Sequence, residues 1–346
     1  MKAVVFHGPG EKSWEQVNDP KLERTEDAIV RITTSTICGT DLHILKGDVP
    51  EVRPGTVLGH EAVGIVEEVG GSVTNLQRGD RVLLPAITAD GRCDFCRVGM
   101  YSHCRHGGWL FGHRIDGLQA QYARAPYADT SLYKVPDELT DEQVLFLADI
   151  LPTAFECGVL NGQVKPGDTV AIVGAGPIGL AAVLLSRLFS PALIVAIDLD
   201  ESRLERARQF GADLTLQSTG DGEGVKARLM ELTDGGVDVA MEAVGVPATF
   251  ELCTELVKPG GRVANLGVHG SAASLHLEHL WAHNITITTR LVDTITIPQL
   301  LKLIQAKRFD PTRFATHHFR LDEALAAYDV FARAGETGAL KVVLTQ

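Results

Sequence analysis

No apolar run in the 346-residue chain approaches the roughly 18 to 20 residues that a bilayer-spanning helix needs, so no membrane partner is expected. Basic residues are in the minority. The 32 Lys and Arg against 44 Asp and Glu leave a net charge of −12, a poor balance for binding nucleic acid or an anionic membrane surface. A targeting pattern is missing as well, because Met1 leads straight into Lys2-Ala3-Val4-Val5-Phe6 without a basic, apolar and small-residue succession. The cytoplasm is therefore the expected compartment. Repeats and low-complexity tracts are absent, and cysteine is sparse. Of six cysteines, Cys93, Cys96 and Cys104 crowd into one short stretch, which in a cytosolic chain points to a metal rather than a disulfide framework. Cys157 and Cys253 stand in apolar helical contexts and read as small core residues.

The chain exceeds the size at which one core stops growing, and its hydrophobic content of 45% is ample for two domains. Its first 150 residues carry short β runs separated by glycine, at 28–32, 63–69 and 81–85, the texture of an irregular barrel-like domain. From about Asp141 the texture changes. The turn Lys165-Pro166-Gly167-Asp168 introduces a strand at 169–173, and strands and helices then alternate. Helices are expected at 180–188, 201–210 and 248–257, and strands at 193–197, 237–242 and 262–266. That is the rhythm of an α/β, doubly wound parallel sheet. Helices at 298–305 and 321–333 and a strand at 340–345 follow, and this segment is expected to fold back onto the N-terminal domain. The expected division is 1–150 with 292–346, and 151–291.

Gly174-x-Gly176-x-x-Gly179 follows a β-branched strand and opens a helix through Pro177 and Ile178. The first glycine permits the tight turn, the second lets the backbone approach a pyrophosphate, and the third lets helix and strand pack closely. The helix N-terminus then faces the phosphates. Asp198, at the end of the next strand, can accept from both ribose hydroxyls and would repel a 2′-phosphate, so NAD is expected over NADP. Arg203 nearby pulls the other way, since a guanidinium could help hold a phosphate.

Three further segments offer a thiolate, an imidazole and a carboxylate: Cys38-Gly39-Thr40-Asp41-Leu42-His43, Gly59-His60-Glu61 and Ala148-Asp149. Cys38, His60 and Asp149 make the ligand set of an open zinc site, with three protein ligands and a fourth position left for substrate. Glu61 either joins as an extra ligand or stands behind the others. Zinc would polarise a carbonyl or alkoxide oxygen. Thr40 can bond that oxygen, and His43 suits the solvent-facing end of a proton relay.

Together these motifs resemble the zinc-containing medium-chain dehydrogenase/reductase superfamily, the alcohol dehydrogenases, over nearly the whole chain. The resemblance implies a GroES-like catalytic domain, a Rossmann domain and an active site in the cleft between them. It implies Cys38, His60 and Asp149 as catalytic zinc ligands, the aspartate being typical of a branch of secondary alcohol and formaldehyde dehydrogenases. Lys341 would approach the pyrophosphate. Ala86 and Ile87, with Trp109 or His113 on another wall, would admit two modest substituents on the reacting carbon. The family's four-cysteine lobe falls here on Asp90, Cys93, Cys96 and Cys104, with a carboxylate in place of the first thiolate, so a second, structural zinc is expected. His103 and His106 break that register.

The expected activity is reversible hydride transfer between NAD and a small secondary or primary alcohol; the alternative is a formaldehyde dehydrogenase-like or polyol dehydrogenase. A zinc-free quinone reductase would not need the metal ligands, and a storage or binding protein would not need Thr40 and His43. A homo-oligomer is expected, a tetramer by preference, with the runs 264–268 and 285–289 pairing between subunits.

Overall fold

A computed structural model describes residues 1–219 and 222–346. The chain divides into two compact units, Met1–Asp149 with Asp293–Gln346, and Ile150–Val292.

The first unit is built on a seven-stranded sheet. Along its path lie Ala315–Arg320, Lys341–Thr345, Ala28–Thr36, Ala62–Val69, Arg81–Leu84 and Tyr133–Lys134, while Tyr122–Ala125 pairs with the far end of Ala28–Thr36. The C-terminal strand Lys341–Thr345 is thus interior, parallel to Ala315–Arg320 on one side and antiparallel to Ala28–Thr36 on the other. Alternation along Ala28–Thr36 sends Ala28, Val30 and Ile32 into one core with Ala62, Val66, Val82, Leu84 and Phe111. A second core gathers Val4, Phe6, Ile37, Ile44 and Leu58 with Tyr328, Phe331, Val342 and Leu344 from the C-terminal segment. Burying side chains of this size stabilises by about 1.5–3 kcal/mol each. The returning segment is therefore part of the N-terminal core.

The second unit holds six parallel strands in the order Leu214–Gln217, Leu193–Asp198, Thr169–Val173, Val237–Glu242, Val257–Asn265, Thr286–Thr289. Numbered along the unit this is 3-2-1-4-5-6, the doubly wound order whose ligand crevice opens at the carboxyl ends of strands 1 and 4. The helices sit where the apolar periodicity puts them: Pro177–Ser186, Glu201–Phe210 and Pro247–Leu256. Asp200 caps the second of these by accepting the Ser202 N–H at 2.7 Å, and Gly211 closes it in the left-handed region (φ 110°).

Three features differ from expectation. The strand Leu214–Gln217 and the helix Glu223–Thr233 carry too little apolar contrast to stand out in the sequence. The run 285–289 does not wait for another subunit to pair with 264–268: Thr286–Thr289 is hydrogen-bonded in parallel to Val257–Asn265 of its own chain, Ala264 opposite Thr288. Its far edge has no strand partner among the described residues. Among those residues no single helix is long and apolar enough to cross a membrane.

Candidate active site

Cys38 precedes the helix Gly39–Lys46 in extended backbone (φ −108°, ψ 159°), and its N–H is accepted by Asp41 Oδ2 at 2.9 Å. This local clamp ties the start of the helix to the residue that carries the thiol. His60 and Glu61 follow Gly59, whose φ of 92° no other residue adopts comfortably; a Cβ there would lie 2.5 Å from Gln119 Cγ. Asp149 follows the turn Phe146–Ala148, where Ala148 C=O accepts the Ala86 N–H at 2.9 Å.

These elements bring Cys38 Sγ, His60 Nε2, a Glu61 oxygen and an Asp149 oxygen within 4.8 Å of one another. Asp149 Oδ2 is 3.5 Å from Cys38 Sγ and 3.6 Å from His60 Nε2, and His60 Nε2 is 4.0 Å from Glu61 Oε1. Ligands about 2.0–2.3 Å from a zinc ion stand roughly 3.3–3.8 Å apart around a tetrahedron, so Asp149 already has zinc-shell spacing from both Cys38 and His60. Glu61 Oε2 is buried with no hydrogen-bond partner, while His60 Nδ1, the ring nitrogen that does not face the cluster, lies 3.5 Å from Asp41 Oδ1. Thiolate, imidazole and carboxylate are also the donor types zinc accepts. The residues fit the ion.

Electrostatics within the cluster agree. Burial pushes the Cys38 thiol up, and Asp149 adds to the effect against the opposing field of Lys341. Burial works against a charge on His60, but the Asp41 carboxylate and the hydrogen bond to Asp149 outweigh it and hold the imidazole well above its usual range. Burial raises the Glu61 carboxyl while Lys341 pulls it down. A site that concentrates negative charge in this way calls for a cation, and a bound dication would reverse these balances.

Lys341, which the resemblance places near the pyrophosphate, is engaged within the first unit. It is 1 % exposed, and its ammonium donates to Glu61 Oε1 at 2.6 Å and to Ile37 C=O at 3.1 Å. A buried carboxylate without a countercharge is strongly unfavourable, and Glu61 captures the only ammonium that the interior strand Lys341–Thr345 supplies. Thr40 Oγ1 lies 3.7 Å from Cys38 Sγ. His43 is exposed on the same helix, its Nδ1 2.8 Å from Asp48 Oδ2.

Ala86, Ile87, Trp109 and His113 assemble beside the cluster. Ile87 pairs with Trp109 across a short antiparallel ladder, the Trp109 and His113 rings stack at 4.3 Å, and the Trp109 ring meets His60 edge-on at 6.2 Å. Ala86 is tied to the residue preceding Asp149.

A second cluster lies in the same unit. Ligand atoms of Asp90, Cys93, Cys96 and Cys104 also fall within 4.8 Å of one another. Cys93 Sγ and Cys96 Sγ are 3.5 Å apart, and Cys104 Sγ accepts the Asp90 N–H at 3.3 Å. Asp90 Oδ1 accepts the N–H groups of Arg92 and Cys93, and Oδ2 faces His106 Nδ1 at 2.6 Å. Against the effect of burial, these donors hold Asp90 well below the usual carboxylate range. His106, out of register as a ligand, is instead the partner of Asp90. Burial pushes the Cys96 thiol up.

In the second unit, Gly174 has a φ of 102°, and a Cβ on Gly179 would lie 1.8 Å from Gly174 C=O. Gly176 caps the helix Pro177–Ser186, with Pro177 and Ile178 in its first turn. Asp198 Oδ2 accepts the Ala175 N–H at 2.7 Å and Oδ1 the Asp200 N–H at 2.9 Å, so this carboxylate braces the glycine turn itself. Arg203 is exposed on the following helix.

The sequence reading passed over Asp41, Gln119 and the Lys341–Glu61 pair as parts of the site. Only Asp41 left a local signal, three residues after Cys38 in capping-box spacing.

Comparison with known proteins gives the class first. The family model for the alcohol dehydrogenase GroES-like domain matches residues 24–137, and that for the zinc-binding dehydrogenase domain matches 177–306. An alcohol dehydrogenase of Cupriavidus necator is 40% identical, covering 99% of this chain and 98% of the relative. Zinc dependent alcohol dehydrogenase 2 from Streptococcus pneumonia, solved in apo form, superposes with a TM-score of 0.95 at 48% identity, covering 100% of this chain and 98% of the other. The alcohol dehydrogenase TADH from Thermus sp. ATN1 gives 0.93 at 39%, covering 100% and 99%. The chain belongs to the zinc-dependent medium-chain alcohol dehydrogenases. It is an oxidoreductase that works with zinc and a nicotinamide cofactor on alcohols.

Proposed function

We propose that Cys38, His60 and Asp149 bind the catalytic zinc, that the cofactor is NAD, and that the substrate is a small secondary or primary alcohol oxidised reversibly to its ketone or aldehyde. The observation that carries the metal reading is the zinc-shell spacing of Asp149 Oδ2 from Cys38 Sγ and His60 Nε2. When bound, zinc polarises the substrate oxygen and lowers the alcohol's pKa. NAD, held by the second unit, would serve as the hydride acceptor.

The chain's own residues do the rest. Thr40 Oγ1, on the Cys38 side of the cluster, accepts the hydroxyl proton as it gives up its own, and His43, at the solvent-facing end of the relay, releases a proton to solvent. Asp48 holds the His43 Nδ1–H and leaves Nε2 as the proton acceptor. Each turnover thus moves one hydride to the cofactor and one proton to water, leaving a carbonyl. Ile87, Trp109 and Ala86 form an apolar wall that orients two small substituents and keeps bulk water from the reacting carbon. Lys341 neutralises Glu61 and keeps that carboxylate behind the three ligands. In the second unit, Asp198 favours the unphosphorylated ribose, and the first turn at Pro177 and Ile178 offers its N-terminal field to the pyrophosphate. Asp90, Cys93, Cys96 and Cys104 hold a second zinc that fastens their loop and takes no part in the reaction. The open edge of Thr286–Thr289 and the exposed Leu277 and Trp281 support a homo-oligomer, a tetramer by preference, in which a second copy covers them.

The test is zinc per chain together with NAD⁺ reduction over ethanol, 2-propanol, 2-butanol, formaldehyde with and without glutathione, and a polyol. About two zinc ions and fastest turnover of a secondary alcohol are expected. A single zinc would sink the second metal site, and a preference for formaldehyde or the polyol would overturn the substrate reading.

A further inference from the structure

Behind His60 lies a buried polar chain that the mechanism does not use. His60 Nδ1 faces Asp41 Oδ1 at 3.5 Å. Asp41 Oδ2 accepts from the Cys38 N–H and, at 3.1 Å, from Gln119 Nε2. The other Gln119 N–H goes to Thr36 C=O at 3.1 Å, and Gln119 Oε1 accepts the Tyr328 hydroxyl at 2.8 Å. His60, Asp41, Gln119 and Tyr328 are at most 3 % exposed.

The orientation of the Gln119 amide follows from its neighbours. Two acceptors, a carboxylate and a carbonyl, stand on one side, so the NH₂ group must point there; the reversed amide would set three acceptors against each other. Tyr328, from the helix Ala324–Ala332, then supplies the donor that the remaining Oε1 needs. Burial, reinforced by the Asp41 charge, keeps the Tyr328 phenol protonated over the whole working range. The backbone is held by the same residue: Gln119 N–H donates to Leu58 C=O, Leu118 N–H donates to Gly59 C=O, and Gly59 packs on the Gln119 side chain. Gln119 therefore fixes both the chain that carries His60 and the carboxylate that His60 faces.

Resting on the reading of His60 as a zinc ligand, we propose that Gln119 and Tyr328 are positioning residues for the catalytic metal, acting through Asp41 to aim His60 Nε2 and to keep its other nitrogen a donor. Partners that orient a ligating histidine typically govern metal affinity or activity by 10–100-fold. Tyr328 stands one step further out, so about tenfold is expected.

The experiment measures zinc release from the loaded enzyme into excess chelator. The release phase that His60→Ala lacks identifies the catalytic ion. Tyr328→Phe and Gln119→Met are expected to speed that phase roughly tenfold and to leave any other phase unchanged. Phe331→Leu trims the same helix in the same core without touching a polar group, and is expected to release zinc at the wild-type rate. In the cobalt-substituted protein the visible bands should shift in Tyr328→Phe and stay in place in Phe331→Leu. Wild-type release and an unshifted spectrum in Tyr328→Phe would overturn the proposal, as would equal effects of Phe331→Leu. If His60→Ala keeps every release phase, the ligand assignment itself falls; if it loses one and Tyr328→Phe changes nothing, only the positioning role does.

Discussion

Lys341 Nζ and Glu61 Oε1 meet at 2.6 Å across 280 positions of chain, each side chain 1 % exposed. Removing one member of such a pair leaves a buried charge without compensation and typically costs about 3–5 kcal/mol. Lys341→Met should lower unfolding stability in urea by that amount, and the double variant Lys341→Met with Glu61→Gln should recover a large part. Equal losses in single and double variants would mean that the lysine's packing, not its charge, matters.

Asp149→Ala should remove one zinc equivalent and abolish turnover while leaving NAD binding largely intact. Elemental analysis and cofactor fluorescence titration read the two effects separately. Full activity with full zinc would refute the ligand assignment.

For Asp198→Ala, two losses combine. The ribose loses a charged acceptor, worth about 1.5–3 kcal/mol, and the Ala175 N–H in the glycine turn loses its brace. Affinity for NAD should drop by roughly tenfold or more, and affinity for NADP by less. An unchanged ratio of the two dissociation constants would show that the ribose is read elsewhere.

Cys104→Ser should cost the other zinc equivalent and lower Tm while kcat stays close to wild type. A kcat that falls in proportion to the lost metal would tie that ion to the chemistry.

Acid sensitivity follows from carboxylates that serve as clamps. Despite the opposing effect of burial, N–H and hydroxyl donors from Thr74 and Asn75 hold Asp129 below its usual range. Asp238 is likewise held down, against burial, by Lys258 and the Thr169 N–H. A carboxyl with a depressed folded pKa binds fewer protons folded than unfolded. Its contribution is therefore complete above the unfolded value of about 3.9 and is lost as pH falls toward the folded one. Replacing either by Asn should flatten the decline of Tm below pH 4 and leave the shape between pH 5 and 7 unchanged.

How much the sequence disclosed depended on how local each signal was. Cys38 and His60 sit in short motifs, and the glycines 174, 176 and 179 act within one turn, so all five were legible. The strand Val237–Glu242 and the helix Glu201–Phe210 carry enough apolar contrast to be bounded correctly. The pairing of Lys341 with Glu61 was not legible because nothing near residue 341 announces Glu61; only the sheet order makes them neighbours. His106 was set aside for its spacing, yet spacing limits direct ligands and not the groups that bond them. Gln119 and Tyr328 have no motif at all, and their role exists only in the packed core.

The interior place of Lys341–Thr345 in the first unit's sheet also has a meaning in time. A chain emerging from the ribosome completes Ile150–Val292 while Met1–Asp149 still lacks the strand that separates Ala28–Thr36 from Ala315–Arg320, along with the lysine that neutralises Glu61. During that interval the metal-binding half is an unfinished sheet with an open flank, tethered to a finished neighbour. Whatever loads zinc, or guards the exposed edge, meets a nascent protein whose middle segment is synthesised in full before its N-terminal unit is complete.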